Sequence, residues 1–213
     1  MYTKVLFDLD GTLIDTAPGI KRSMCEMLRI MGLPPINDEQ QMALIGPPLK
    51  LGFSRILGLS GDTLDEAIRI YREIMPDIAR GIVKPFNGVP ELLRALKNSG
   101  RFIGVITSKQ QSTAREHLED FALWTYIDYL RGALPDGSGE KTELLKAAAT
   151  DIGFDASTVM IGDRFYDLDA ARAVGIASIG VKYGYAPEGE IDGCAPTYTV
   201  NTVEELTELL LYE

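Results

Sequence analysis

The stretch Val5-Leu6-Phe7-Asp8-Leu9-Asp10-Gly11-Thr12 decides the fold. Its consecutive large apolar residues, closed by a Gly-Thr turn, read as a short strand buried on both faces, the habit of parallel sheets. That strand runs directly into two carboxylates, Asp8 and Asp10. Burying acids at a strand end costs free energy unless a cation or a hydrogen-bond network receives them. The chemistry of the chain is expected at that point.

Beyond Thr12 the pattern changes twice. From Ala17 to about Ile82 it is helical: Ile20, Met24, Met27, Leu28 and Met31 recur at helical spacing until Gly32 and the Leu33-Pro34-Pro35 turn. Further helices are expected at 38–45 and 64–75, separated by the breakers Gly46-Pro47-Pro48 and Gly58 to Gly61. The methionines are expected to form the core of this helical region. From Val83 strands and helices alternate, with further strands expected at 102–106, 126–130, 158–161 and 177–181. Helices are expected at 91–98, 112–121, 143–152, 168–174 and 202–211, the last opened by a Thr202/Glu205 capping box. The fold class that follows is α/β: a Rossmann-like, mostly parallel sheet core from residues 1–16 and 83–213, with an inserted α-helical domain at 17–82. Hinges are expected near Thr16 to Gly19 and Ile82 to Pro85. Right-handed crossovers place every strand C-terminus along one edge, where ligands of such sheets bind.

Composition excludes several classes. A chain of 213 residues with 46% hydrophobic content can bury a substantial core. Its 21 basic and 31 acidic residues give a net charge of −10, with the acids dispersed, which argues against nucleic acid as a partner. Cys25 and Cys194 fit neither a disulfide framework nor a thiolate metal site and are expected to be reduced. No stretch reaches the length of a membrane span, and no charged-then-apolar leader precedes the first strand, so a cytoplasmic location without a membrane partner is expected. Oligomeric state, monomer or homodimer, leaves no signature. The single histidine, His117, lies in a polar helical segment and is expected to be solvated. Zinc-histidine sites and Ser-His-Asp triads are thereby excluded, and proton transfer falls to carboxylates, lysine or tyrosine.

Chemistry-bearing residues gather at strand ends. The first expected strand ends at Asp8 and Asp10, the second at Thr107 and Ser108, and the fourth at Gly162 and Asp163, with Asp167 one helical turn on. Lys141 opens the helix after the third. Carboxylates crowded at one edge repel strongly at a low effective dielectric, so a cation is required. Hard oxygen ligands without imidazole or thiolate select Mg²⁺ or Mn²⁺. Gly11 follows Asp10 too early for an EF-hand loop.

These residues resemble the haloacid dehalogenase superfamily of phosphohydrolases over nearly the whole chain. Its motifs appear in order: DxDGT as Asp8 to Thr12, a hydrophobic strand ending in Thr107, Lys141 before a helix, and GDxxxD as Gly162 to Asp167. The helical insertion is similar to the C1 cap of the phosphoglycolate phosphatase-like branch. The resemblance implies a Mg²⁺-dependent phosphomonoesterase acting on a small phosphorylated metabolite, phosphoglycolate-like or 5′-nucleotide-like. Asp8 would attack phosphorus to form an aspartyl-phosphate, and Asp10 would protonate the leaving oxygen and then accept a proton from water. Asp8, Asp163, Asp167 and the Asp10 carbonyl would hold the metal, while Gly11, Thr107, Ser108 and Lys141 would meet the phosphoryl group. Many relatives place a proline after the motif lysine, whereas here Thr142 follows Lys141. Lys109, just past the second strand, is the competing lysine, read either as a solvated helix-start residue or as a phosphate contact. Arg164 is expected to anchor a loop. The turn at Gly46 and Pro48, followed by Lys50 and Arg55, is the candidate substrate-reading loop of the cap. A sugar-phosphate mutase is the alternative activity, weakened because residues 16–20 lack the histidine usual in that branch. An aspartate-phosphorylated signalling module is weaker still, since the third strand ends in Arg131-Gly132 rather than in an acid.

Overall fold

The computed structural model describes residues 1–134 and 139–212. In chain order the elements are β1 Lys4–Phe7, β2 Ile14–Asp15, α1 Ala17–Ile30, α2 Asp38–Ala43, α3 Leu49–Leu57, α4 Gly61–Ala79 and β3 Lys84–Pro85. There follow α5 Val89–Asn98, β4 Phe102–Gln110, α6 Gln111–Asp120, β5 Tyr129–Ala133, α7 Lys141–Ile152 and β6 Thr158–Gly162. The chain closes with α8 Phe165–Val174, β7 Ala177–Val181, α9 Glu190–Gly193, β8 Tyr198–Val200 and α10 Val203–Tyr212. Contacts divide it into two compact units, Met1–Ile14 with Pro85–Glu213, and Asp15–Lys84.

The first unit is built on a six-stranded sheet of order β5-β4-β1-β6-β7-β8. Every ladder in it is parallel. β1 is central, pairing Lys4 with Phe102 and Phe7 with Val105 on one side, and Lys4 with Thr158 and Phe7 with Ile161 on the other. That position explains the uninterrupted apolar run: Val5, Leu6 and Phe7 are all fully buried. Leu6, Ile106 and Met160 of three adjacent strands pack with Leu144, Leu145 and Ala148 of α7 and with Ala170 and Ala171 of α8. β1, β4 and β6 therefore lie side by side with their C-terminal ends together, and the chain reverses its order across β1, where a crevice forms in such sheets.

The second unit is helical. Met24, Met27 and Leu28 of α1 are buried, and Phe53 of α3 meets Tyr71 of α4 edge-on, with ring centroids 5.7 Å apart. An Asn37/Gln40 capping box opens α2, Asn37 Oδ1 accepting from the Gln40 N–H at 2.8 Å and Gln40 Oε1 from the Asn37 N–H at 3.1 Å. Among the described residues no helix is long and apolar enough to cross a membrane.

Several boundaries differ from the sequence reading for identifiable reasons. α3 was not expected as a helix. Gly46-Pro47-Pro48 ends one helical stretch, but Pro48 is also the N-cap residue of the next, whose far end is capped by Gly58 at φ +69°. Lys50 and Arg55 consequently sit on exposed positions of a helix and not in a loop. α4 continues four residues past Met75 through Pro76, because Met75 and Ala79 are both buried and hold the last turn. β5 begins at Tyr129 rather than 126, where a single 3₁₀ turn, Trp124–Tyr126, precedes it. The Asp128 carboxylate accepts the Ile103 N–H at 2.9 Å and fixes that register. β8 was missed because only Val200 of its three residues is buried, as expected of a short edge strand.

Candidate active site

Asp8 follows β1 directly, and its N–H bonds to Ile161 O at 2.8 Å, so the ladder with β6 continues up to the acid itself. Asp163 follows β6, and Asp167 lies in the first turn of α8. These three carboxylates are buried, each offering an oxygen within 4.8 Å of the others. Lys141, the first residue of α7 and itself buried, inserts its ammonium among them. Its Nζ lies 2.5 Å from Asp8 Oδ1, 2.7 Å from Asp167 Oδ1 and 2.8 Å from Ile106 O. It donates to Asp8 and to the Ile106 carbonyl and forms an ion pair with Asp167.

The electrostatics follow from burial. Burial pushes the Asp8 carboxyl up to about 7, with Lys141 pulling down against it and Asp167 and Asp10 adding to the rise. Burial, then the charges of Asp8 and Asp167, hold Asp163 well above the usual carboxylate range. Burial works to lower the Lys141 ammonium, but Asp167 and Asp8 outweigh it and keep that lysine above its ordinary value. Three acids around one ammonium leave an excess of negative charge in a dry setting.

Asp163 is gripped as a ligand would be. The Tyr185 N–H donates to its Oδ2 at 2.7 Å, and the Thr12 hydroxyl to its Oδ1 at 3.4 Å. Gly11, at φ +88°, exposes bare backbone beside it: a Cβ there would stand 2.2 Å from Asp163 Oδ2. A Cβ on Gly184 would lie 2.3 Å from Asp163 Cβ and 2.5 Å from Gly11 O. This all-oxygen cradle, with acids in excess of its ammonium, fits a divalent metal that Asp8, Asp163 and Asp167 would hold.

In the metal-free protein the sign of the pH dependence is fixed by Asp8. Its folded value of about 7 lies above the ordinary 3.8, so its contribution to stability is full below about pH 4 and is lost as pH rises through 7. Thermal melting of the metal-free chain against Asp8→Asn across this range is expected to show the variant gaining relative stability as pH rises. A gap that stays constant with pH contradicts it.

Asp10 is placed differently from its neighbour. Its carboxylate is engaged by Lys109, whose Nζ lies 2.8 Å from Oδ1 and 3.0 Å from Oδ2. Lys109 is thus neither a solvated helix-start residue nor a rival of Lys141: one lysine serves Asp10 and the other serves Asp8 and Asp167. Thr107 is buried, and its hydroxyl accepts the Lys109 N–H at 3.1 Å, which leaves its own proton for another acceptor. Ser108 is half-buried beside it on β4. Gly46, Pro48, Lys50 and Arg55 belong to the helical unit. Arg164 does anchor a loop: its Nε donates to Glu190 Oε1 at 2.8 Å, and the Phe165 N–H reaches the same oxygen at 3.1 Å.

The sequence reading of His117 as solvated is corrected. It is half-buried, its Nδ1 has no hydrogen-bond partner among the described residues, and burial together with the Lys109 charge lowers it to about 4. The sequence reading also missed the segment after β7. Tyr185 serves Asp163, and Tyr183 donates its hydroxyl to Thr12 O at 3.0 Å while meeting Phe86 edge-on. The signal was available, since Tyr183-Gly184-Tyr185 follows a strand that ends at the same sheet edge.

Comparison with known proteins shows the family. Residues 5–181 match the family described as haloacid dehalogenase-like hydrolase. A 5′-nucleotidase of Pseudomonas aeruginosa is 36% identical over 98% of this chain and 96% of its own. The tyrosine-protein kinase PtkA of Mycobacterium tuberculosis is 35% identical over 97% of this chain and 72% of its own. A solved structure described as a predicted phosphatase from Clostridium acetobutylicum superposes with a TM-score of 0.91 at 33% identity, covering 100% of both chains. The chain belongs to the haloacid dehalogenase-like hydrolases, as an enzyme of their phosphatase kind.

Proposed function

We propose that the chain is a Mg²⁺-dependent phosphomonoesterase that releases phosphate from a small phosphorylated metabolite through an aspartyl-phosphate on Asp8. The observation that carries this reading is the burial of Asp8 against Lys141, with Asp163 and Asp167 beside it at three adjoining element ends. An Asp8 carboxylate oxygen attacks phosphorus, the bond from phosphorus to the ester oxygen breaks, and the Asp10 carboxyl gives that oxygen its proton. Water then attacks phosphorus, loses a proton to Asp10, and Asp8 departs as a carboxylate. Thr107 donates its free hydroxyl proton to a phosphoryl oxygen, and Lys141 offsets the charge that gathers there. Asp8, Asp163, Asp167 and the Asp10 carbonyl would hold Mg²⁺, which would supply the positive charge that this donor set lacks. The helical insertion is assigned the choice of leaving group, with Lys50 and Arg55 as its candidate charges.

The test is a screen of phosphate release over sugar phosphates, 5′-nucleotides and phosphoglycolate. It includes ATP with a tyrosine-bearing peptide, since one relative carries the name of a tyrosine-protein kinase. Release is expected to fall to background on chelation and to return with Mg²⁺. Activity that survives complete chelation counts against the acidic cluster as a metal site.

A further inference from the structure

β4 runs three residues beyond Thr107, and this overrun is irregular in a specific way. Its pairing with β5 matches Thr107 to Gly132 and then skips to Gln110 opposite Ala133. The skipped backbone is held from both sides. The Lys109 N–H bonds to the Thr107 hydroxyl at 3.1 Å, and Gln111 Oε1 accepts the Gly132 N–H at 3.1 Å. Gly132 is what permits the approach, because a Cβ there would stand 2.6 Å from Gln111 Cα and 2.8 Å from Lys109 O. The result is a lysine whose side chain is only 12% exposed, aimed at both oxygens of Asp10.

We propose that Lys109 is a positioning residue for the second half of the reaction: it holds Asp10 as an oriented carboxylate, ready to take a proton from the water that attacks the aspartyl-phosphate. In that step the water oxygen bonds to phosphorus and the bond from phosphorus to Asp8 breaks. The water proton passes to Asp10, and Asp8 is regenerated as a carboxylate. An ammonium meeting both carboxylate oxygens fixes the direction in which that carboxylate faces. This inference rests on the reading of Asp8 as nucleophile and Asp10 as acid and base.

The experiment uses 4-nitrophenyl phosphate, whose leaving phenolate departs without needing a proton. Formation of the aspartyl-phosphate is then insensitive to Asp10, and only its hydrolysis reports on Lys109. Lys109→Met is expected to release a rapid burst of one nitrophenolate per active site. Steady turnover then falls about 100-fold while kcat/KM stays within a few-fold of the parent. The burst itself counts folded sites; Lys109→Gln, of similar length, serves the same test should the methionine variant lose its fold. Asp10→Asn run in parallel separates the two levels. If Asp10→Asn bursts and the Lys109 variants lose kcat and kcat/KM in parallel, or keep kcat unchanged, the role of Lys109 is overturned and the mechanism stands. If no variant bursts, the acid-base reading of Asp10 fails and the inference falls with it.

Discussion

Asp8→Asn is expected to abolish turnover, with phosphate release falling by about 10⁴-fold or more, and to leave the fold intact. The substitution keeps the size and shape of a side chain that is only 10% exposed, so no cavity opens. The amide oxygen can still accept from the Lys141 ammonium, which retains Asp167 and the Ile106 carbonyl as its other acceptors. What disappears is the anionic oxygen proposed to form the bond to phosphorus, and the neighbouring acids are each engaged elsewhere. Asp163 is held by Tyr185 and Thr12, Asp167 by Lys141, and Asp10 by Lys109. Because one buried negative charge is also removed, the metal-free variant is expected to melt no lower than the parent at neutral pH. Phosphate release and thermal melting together check the pair of outcomes; turnover near the parent level overturns Asp8 as nucleophile.

Lys141→Met has the largest expected effect on stability. Without the ammonium, Asp8 and Asp167 keep their burial and lose their counter-charge, and the Ile106 carbonyl loses its donor. Removing one partner of a buried ion pair costs about 3–5 kcal/mol, a large share of the roughly 5–15 kcal/mol that holds a domain folded. A divalent cation brought to Asp8, Asp163 and Asp167 supplies part of the missing charge, so Mg²⁺ is expected to recover much of the loss in stability. Activity is expected to stay depressed, since on the proposed mechanism charge on the phosphoryl group is then left unmatched on that side. Urea unfolding with and without Mg²⁺ measures both effects. A metal-free loss under about 1 kcal/mol contradicts the clamp geometry.

How much of this was legible in the sequence depended on whether a signal was local. Asp8, Asp163 and Asp167 could be named because each lies at or just past an apolar strand whose burial is written in consecutive residues. Lys141 could be named because its helix and the motif order marked it. Lys109 could not be assigned: its place in the site depends on a register break in β4 and on Gly132 of β5, neither of which shows in a periodicity. His117 was misjudged because a polar segment in sequence became a half-buried helix face against Lys109. α3 was missed because a Gly-Pro-Pro run reads as an ending, and only the buried Phe53 shows that it is also a beginning.

The sequence by itself determined the parallel sheet, the helical insertion and the identity of the acids, because hydrophobic periodicity and strand-end residues are properties of neighbours along the chain. Only the tertiary structure decided how the charges are shared. Lys141 joins Asp8 to Asp167, Lys109 takes Asp10, and Tyr185 with Thr12 takes Asp163. The reason is physical: Coulomb attraction and hydrogen bonding depend on separations of a few ångströms in space, and these pairs are brought together from distant parts of the chain only when the sheet closes.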